Sequence, residues 1–187
     1  MSFSISKRHR SKIGSHLDAV EDIYSLNKHT LGPGDLAEKE WLDADLAAPN
    51  MTKIRAYRLK RVREKLVEFN CAGILLYDPV NIRYATDSTN MSLWTSRNAA
   101  RYSLIMTEGP VIIFEFDAHE FLSNHNPLIT EVRHALTYLY FTAGDKSKEK
   151  AKIWASEIFD IVREYGSDNR RLAIDHCAPE GIHELQS

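Results

Sequence analysis

The chain has 187 residues, 43% of them hydrophobic and 27% charged, with a formal net charge of −2. That length suits one domain with flanking segments, and the balance is ordinary for a globular protein in water. It excludes a general nucleic-acid binder with a basic face, and no apolar run approaches the ~18 residues needed to span a bilayer. Two cysteines, Cys71 and Cys177, form no disulfide framework or metal spacing, so a reducing compartment, the cytoplasm, is expected. The basic opening, residues 1–10, has no apolar core behind it and does not read as a secretory signal.

Residues 1–50 show no sustained period and read as an arm, partly irregular. Gly32-Pro33-Gly34 interrupts it, a short helix is expected over 35–46 around Leu36, Trp41 and Leu42, and Ala47-Ala48-Pro49-Asn50 ends it. The domain proper is expected over 51–187. Ile54, Leu59, Val62, Leu66 and Phe69 at helical spacing predict a helix over 51–69, whose basic residues read as a solvated face with stems covering apolar surface. Asn70 and Gly73 bracket its stop, and the apolar run 74–77 is a buried strand. Asp78-Pro79 then supplies an N-cap and a proline at the first helical position, which predicts a helical turn over 80–84. The polar run 86–90 follows, closed by Met91, Leu93 and Trp94. Two readings fit it. Ligands collect at the carboxyl ends of strands in open α/β sheets, so this stretch suits one wall of a site. It equally suits a surface loop whose tryptophan closes the core.

A linker through Arg97 and Arg101 leads to a hairpin, with strands over 103–106 and 111–116 and a turn over 107–110. Residues 117–133 read as irregular. Their His119, Glu120 and His125 invite a metal, but the spacing fits no helical ligand pattern and a third partner has no obvious source, so no metal is expected in this chain. A third strand is expected over 135–141. The strongest helix runs over 145–165, with Ala151, Trp154, Ala155, Ile158, Val162 and Tyr165 as its apolar stripe, Asp145 as N-cap and Gly166 as C-cap. Residues 171–175 form a last strand. Asp175-His176-Cys177, with His183 beyond, hints at metal or thiol chemistry, but a strand end entering a helix accounts for them. The sequence reaches Ser187 in the first turns of that helix, where a domain rarely ends. The fold class is therefore α/β: a three-layer mixed sheet with helices on both faces and a parallel pair linked through the 145–165 helix.

The string Asp78-Pro79-Val80-Asn81-Ile82-Arg83-Tyr84-Ala85-Thr86 between a strand and a hairpin resembles the N-terminal domain of the creatinase/aminopeptidase P/prolidase family, the pita-bread metalloenzymes. Thr86-Asp87-Ser88-Thr89-Asn90-Met91 with Leu93-Trp94 is more specific. With Asn126-Pro127-Leu128, Gly144-Asp145-Lys146, Leu31-Gly32-Pro33 and Glu40-Trp41, it is similar to the dimethylsulfoniopropionate lyase branch, which releases dimethyl sulfide and acrylate. The resemblance covers residue 31 to the end. It implies a ribonuclease H-like motif in the fold and a homodimer. It also implies a separate C-terminal catalytic domain, in which Asp, Asp, His, Glu and Glu hold a divalent or iron-type metal pair. No catalytic residue and no metal ligand carries over to this chain. The resemblance does imply that Trp94 lines the substrate pocket, with Tyr84, Asp87 and Asn90 as further candidates for that wall; Asp87 and Asn90 equally suit capping or loop-fixing. The alternatives are the corresponding domain of an Xaa-Pro peptidase or creatinase-type hydrolase, or a free-standing binding or dimerisation module.

Overall fold

The structure, a computed structural model, describes residues 35–187 except 48 and 125. The Leu31-Gly32-Pro33 segment, the first part of the arm and His125 lie outside the described residues. The chain divides into two units, Met1–Asn50 and Met51–Ser187. In the first, helix α1 (Asp35–Asp43) ends where Leu46 N–H returns to the Trp41 carbonyl at 2.7 Å, and its Leu36 and Leu42 are exposed.

The second unit is built on a five-stranded sheet: β1 (Gly73–Leu76), β2 (Tyr102–Met106), β3 (Val111–Glu115), β4 (Glu131–His134) and β5 (Leu172–Ile174), in the order β4-β3-β2-β1-β5. Strand β2 runs antiparallel to both neighbours, while β1 with β5 and β3 with β4 are parallel pairs. Four strands therefore point one way and only β2 opposes them.

Alternation along the strands feeds two cores, as the two-residue period of a strand dictates. Leu75, Tyr102, Leu104, Ile112 and Phe114 face one side, where helix α6 (Ser147–Tyr165) lays Ala151, Trp154, Ala155, Ile158 and Val162 against them. Leu76, Ile105, Val111 and Ile113 face the other, under Leu59 of helix α2 (Met51–Glu68) and Ile82 and Ala85 of helix α3 (Pro79–Thr86). Helices thus cover both faces of a mixed sheet, the three-layer arrangement expected. Each large side chain so buried contributes about 1.5–3 kcal/mol.

Several boundaries differ from expectation for physical reasons. The third strand lies at Glu131–His134, starting within the stretch read as irregular, because parallel pairing with β3 fixes it regardless of side-chain pattern. After the Ala135 N–H bonds the Glu115 carbonyl the chain leaves the sheet, so 135–141 is no strand. Tyr138 instead turns into the core beneath Trp154, and Tyr140–Ala143 forms a short helix, α5. Helix α6 starts at Ser147 after a 3-10 turn (Gly144–Lys146), with the Ser147 hydroxyl bonded to the Tyr138 carbonyl; Asp145 does not cap it. That helix joins β4 to β5, the two outer strands, and so does not link a neighbouring pair. Phe69 and Tyr165 are exposed, the first beyond the end of α2, the second lying against Gly109 of the hairpin turn. Helix α7 (Pro179–Gln186) closes the chain.

Candidate functional site

The carboxyl ends of β1, β3, β4 and β5 share one edge of the sheet, and β2 begins there. The segment 87–101 lies between α3 and β2. Its entry is fixed locally. Asp78 Oδ1 accepts from the backbone N–H groups of Val80 and Asn81 at 2.8 and 3.0 Å, and Pro79 occupies the first helical position. Asp175, at the end of β5, holds the same corner: its carboxylate accepts from the N–H groups of Tyr77 at 2.9 Å, Asp78 at 3.0 Å and His176 at 2.6 Å, and from Asn81 Nδ2 at 3.1 Å. The Asp175-His176-Cys177 string is therefore a structural clamp, with Cys177 Sγ 3.1 Å from the Tyr138 hydroxyl. Burial pushes the Cys177 thiol up from its ordinary pKa.

Asp87 closes α3 in the left-handed conformation (φ 56°), its N–H on the Arg83 carbonyl. Its carboxylate pairs with Arg55 Nε at 2.6 Å. Beyond it the side chains turn inward onto a buried polar network. Glu115, the last residue of β3 and fully buried, accepts from Arg101 Nε at 2.8 Å, Ser123 Oγ at 2.9 Å and Asn90 Nδ2 at 3.0 Å. Arg101 also donates from Nη2 to Ser88 Oγ at 2.6 Å, and the Ser88 and Ser123 hydroxyls lie 2.8 Å apart. Asn126 Nδ2 adds a bond to the Thr86 carbonyl at 2.6 Å. Burying two charges is tolerable only when the pair is close and further hydrogen-bonded, and here the two groups lie 2.8 Å apart with Ser88, Ser123 and Asn90 as additional partners. Removing one partner of such a pair is destabilising by about 3–5 kcal/mol.

Above this network the chain rises into Met91, in the left-handed region at φ 32°, and the single-turn helix α4 (Ser92–Thr95). Thr95 Oγ1 returns to the carbonyls of Asn90 at 3.3 Å and Met91 at 3.2 Å. Trp94 keeps 40% of its surface exposed and leans on Phe116, ring centroids 5.6 Å apart, with Phe116 in turn 4.4 Å from His119. Leu93 stands out beside it at 82% exposure.

The four expected wall residues thus separate. Trp94 presents an open indole at the carboxyl edge of the sheet. Asn90 is buried against Glu115, and Asp87 is engaged with Arg55, both fixing the loop. Tyr84 lies under the Arg58 guanidinium at 5.6 Å and borders a groove of about 720 Å³ with Arg61, Lys65, Leu66 and Arg171, a lining that does not include Trp94. Arg101, read in the sequence as part of a linker, is the residue that reasoning missed. The hairpin register that pairs Tyr102 with Phe114 sets Arg101 opposite Glu115, and opposite charges facing across a strand end were the available signal.

His119 Nδ1 is 2.7 Å from the Asp117 carbonyl. Among the described residues, Asp117, Glu120 and His134 place one ligand atom each within 4.8 Å of one another, with His134 Nδ1 2.8 Å from the Asp117 carboxylate. These three groups, two of them exposed, do not fit a metal pair held by five ligands. No described helix is long and apolar enough to cross a membrane.

The family model described as "Creatinase/Prolidase N-terminal domain" matches residues 58–186. Dimethylsulfoniopropionate lyase DddP of Roseovarius nubinhibens is 38% identical over 161 residues, 86% of this chain and 36% of that protein. The protein of the same name from Roseobacter denitrificans is 38% identical over 162 residues, 87% of this chain and 36% of its own. This chain spans about a third of the length of these curated relatives. Among solved structures, the creatinase/prolidase N-terminal domain of an X-Pro dipeptidase from Streptococcus pyogenes is similar at 15% identity and a TM-score of 0.43, covering 70% of this chain and 91% of that one.

Proposed function

This chain belongs to the creatinase/prolidase N-terminal domain family, and from that premise we propose that it forms the non-catalytic, pocket-wall part of a dimethylsulfoniopropionate lyase. The half-exposed Trp94 indole on an internally bonded loop carries the reading. A sulfonium cation is large and weakly hydrated, and an indole face attracts it by about 0.5–2 kcal/mol, more as water is excluded. Of the expected wall residues, Trp94 is the contact group. Asn90 and Asp87 act through the loop they fix, and Tyr84, whose ring already faces Arg58, serves the α2 side.

In the reaction a base removes the proton on the carbon next to the carboxylate. The freed pair forms the carbon–carbon double bond of acrylate, and dimethyl sulfide leaves with the electrons of the broken C–S bond. The metal pair that the family resemblance implies would supply charge stabilisation from a C-terminal catalytic domain. What this chain supplies is binding and orientation of the sulfonium end. Homodimerisation and a cytoplasmic location complete the proposal.

The complete protein, incubated with dimethylsulfoniopropionate, is expected to release dimethyl sulfide, and Trp94→Ala is expected to raise KM about tenfold, the equivalent of 1.4 kcal/mol. The 1–187 chain alone is expected to release none. Release of proline from Xaa-Pro dipeptides, with no dimethyl sulfide, would overturn the substrate assignment in favour of the peptidase alternative.

A further inference from the structure

The buried network beneath Trp94 is an expensive way to close a domain edge. Well-packed apolar side chains of similar volume hold such a position as well as or better than a desolvated ion pair. What the polar version adds is direction, because each donor must meet one acceptor at one angle. The network joins four segments: Ser88 and Asn90 from the stretch after α3, Arg101 from the start of β2, Glu115 from the end of β3, and Ser123 from the turn after it. The Trp94 indole and Phe116, the ring it leans on, both adjoin it in the chain. Asn90 stands four residues before Trp94, with its carbonyl on Thr95 Oγ1, and Glu115 immediately precedes Phe116, against which the indole leans.

We propose that the Arg101–Glu115 pair, with Ser88, Asn90 and Ser123, is a positioning unit that sets the angle at which the Trp94 indole is presented to substrate. Its two charges never touch the ligand. They fix the loop on one side and Phe116 on the other, so that the indole has a single resting orientation. The substrate half of this inference rests on the pocket-wall reading above; the orientation half does not.

The test compares Arg101→Met, the double variant Arg101→Met/Glu115→Met, and the milder Ser123→Ala in the complete protein. Arg101→Met strands the buried Glu115 carboxylate and lowers Tm sharply. The double variant removes both charges, keeps the volume and regains most of that Tm. If the unit positions the indole, the double variant still shows KM for dimethylsulfoniopropionate raised about tenfold with kcat changed less than twofold. Acrylamide quenching of Trp94 fluorescence, taken as the difference between each protein and its Trp94→Phe counterpart, rises at least twofold. Ser123→Ala moves both readouts two- to threefold in the same direction, and decides the matter if the double variant does not fold. Recovery of wild-type KM and quenching together with Tm, or a Ser123→Ala protein with neither readout moved, would reduce the network to a structural plug. A Trp94→Ala protein with unchanged KM removes the pocket-wall reading, while the quenching difference still judges the positioning claim.

Discussion

Three phenols lie in the core shared by the sheet and α6, and raising the pH attacks them directly. Tyr77, Tyr102 and Tyr138 are 1%, 0% and 2% exposed, and burial is the first cause that holds each well above the ordinary tyrosine pKa. The phenols also crowd one another, with Tyr77 and Tyr102 ring centroids 5.0 Å apart, so a phenolate on one raises the others further. In the unfolded chain all three release their protons near pH 10. The folded state keeps them, so above that pH it binds more protons than the unfolded state and stability falls as pH rises. Each retained proton is worth about 1.4 kcal/mol per pH unit, and three together about 4 kcal/mol per unit. A domain stability of about 5–10 kcal/mol is consumed within about one to two and a half units above pH 10. Absorbance at 295 nm, followed with near-ultraviolet circular dichroism, is the assay. The three buried phenols are expected to ionise in one step with loss of the tertiary signal. Ionisation of every tyrosine in a single reversible phase near pH 10, with the tertiary signal intact, would refute the argument.

Other outcomes follow from single contacts. Asp175→Ala removes the acceptor of four hydrogen bonds at the β1–β5 corner and is expected to lower stability by about 3 kcal/mol in urea unfolding, with Asp175→Asn losing about half of that; equal stability of all three proteins would show the clamp to be idle. Gly181→Ala drives a methyl group into the Tyr138 hydroxyl and within 2.8 Å of Cys177 Sγ, and is expected to destabilise by about 1–3 kcal/mol, read as a fall in Tm. Because burial raises its pKa, the Cys177 thiol is expected to react with iodoacetamide more slowly than free cysteine at pH 8 and to approach it only at higher pH. A Cys71→Ala background isolates that rate, and an unretarded rate there counts against a buried thiol.

Local rules carried much of the fold. Asp78-Pro79 wrote a helix start that needs nothing distant, and the apolar stripe of α6 needed only its own period; both elements form near where the residues put them. Where a segment takes its conformation from a partner, the sequence was mute. Strand β4 carries Glu131, Arg133 and His134 with a lone apolar Val132, and it is a strand only because β3 lies alongside. The run 135–141 errs the opposite way: β-branched and aromatic residues suggest a strand, yet Tyr138 is a core plug beneath Trp154. At the candidate site the indole was legible as a tryptophan closing a polar run. The role of Asn90 depended on a carboxylate 25 residues further on, and no local pattern announces that.

The reversed strand explains why the Trp94 loop lies where it does. If β2 ran with its neighbours, it would begin at the far end of the sheet, and the segment after α3 would have to cross a whole face to reach it. Because β2 is antiparallel to β1, the chain leaves the carboxyl end of β1 and enters β2 at the same edge. The loop can therefore stay at that edge, and Arg101 arrives directly opposite the end of β3. A charged pair at a strand end, facing solvent, is worth little. Roofed by the loop that Arg101 itself anchors, the same pair is desolvated and becomes demanding of geometry. Sheet topology thus converts an ordinary cross-strand pair into the footing of the indole.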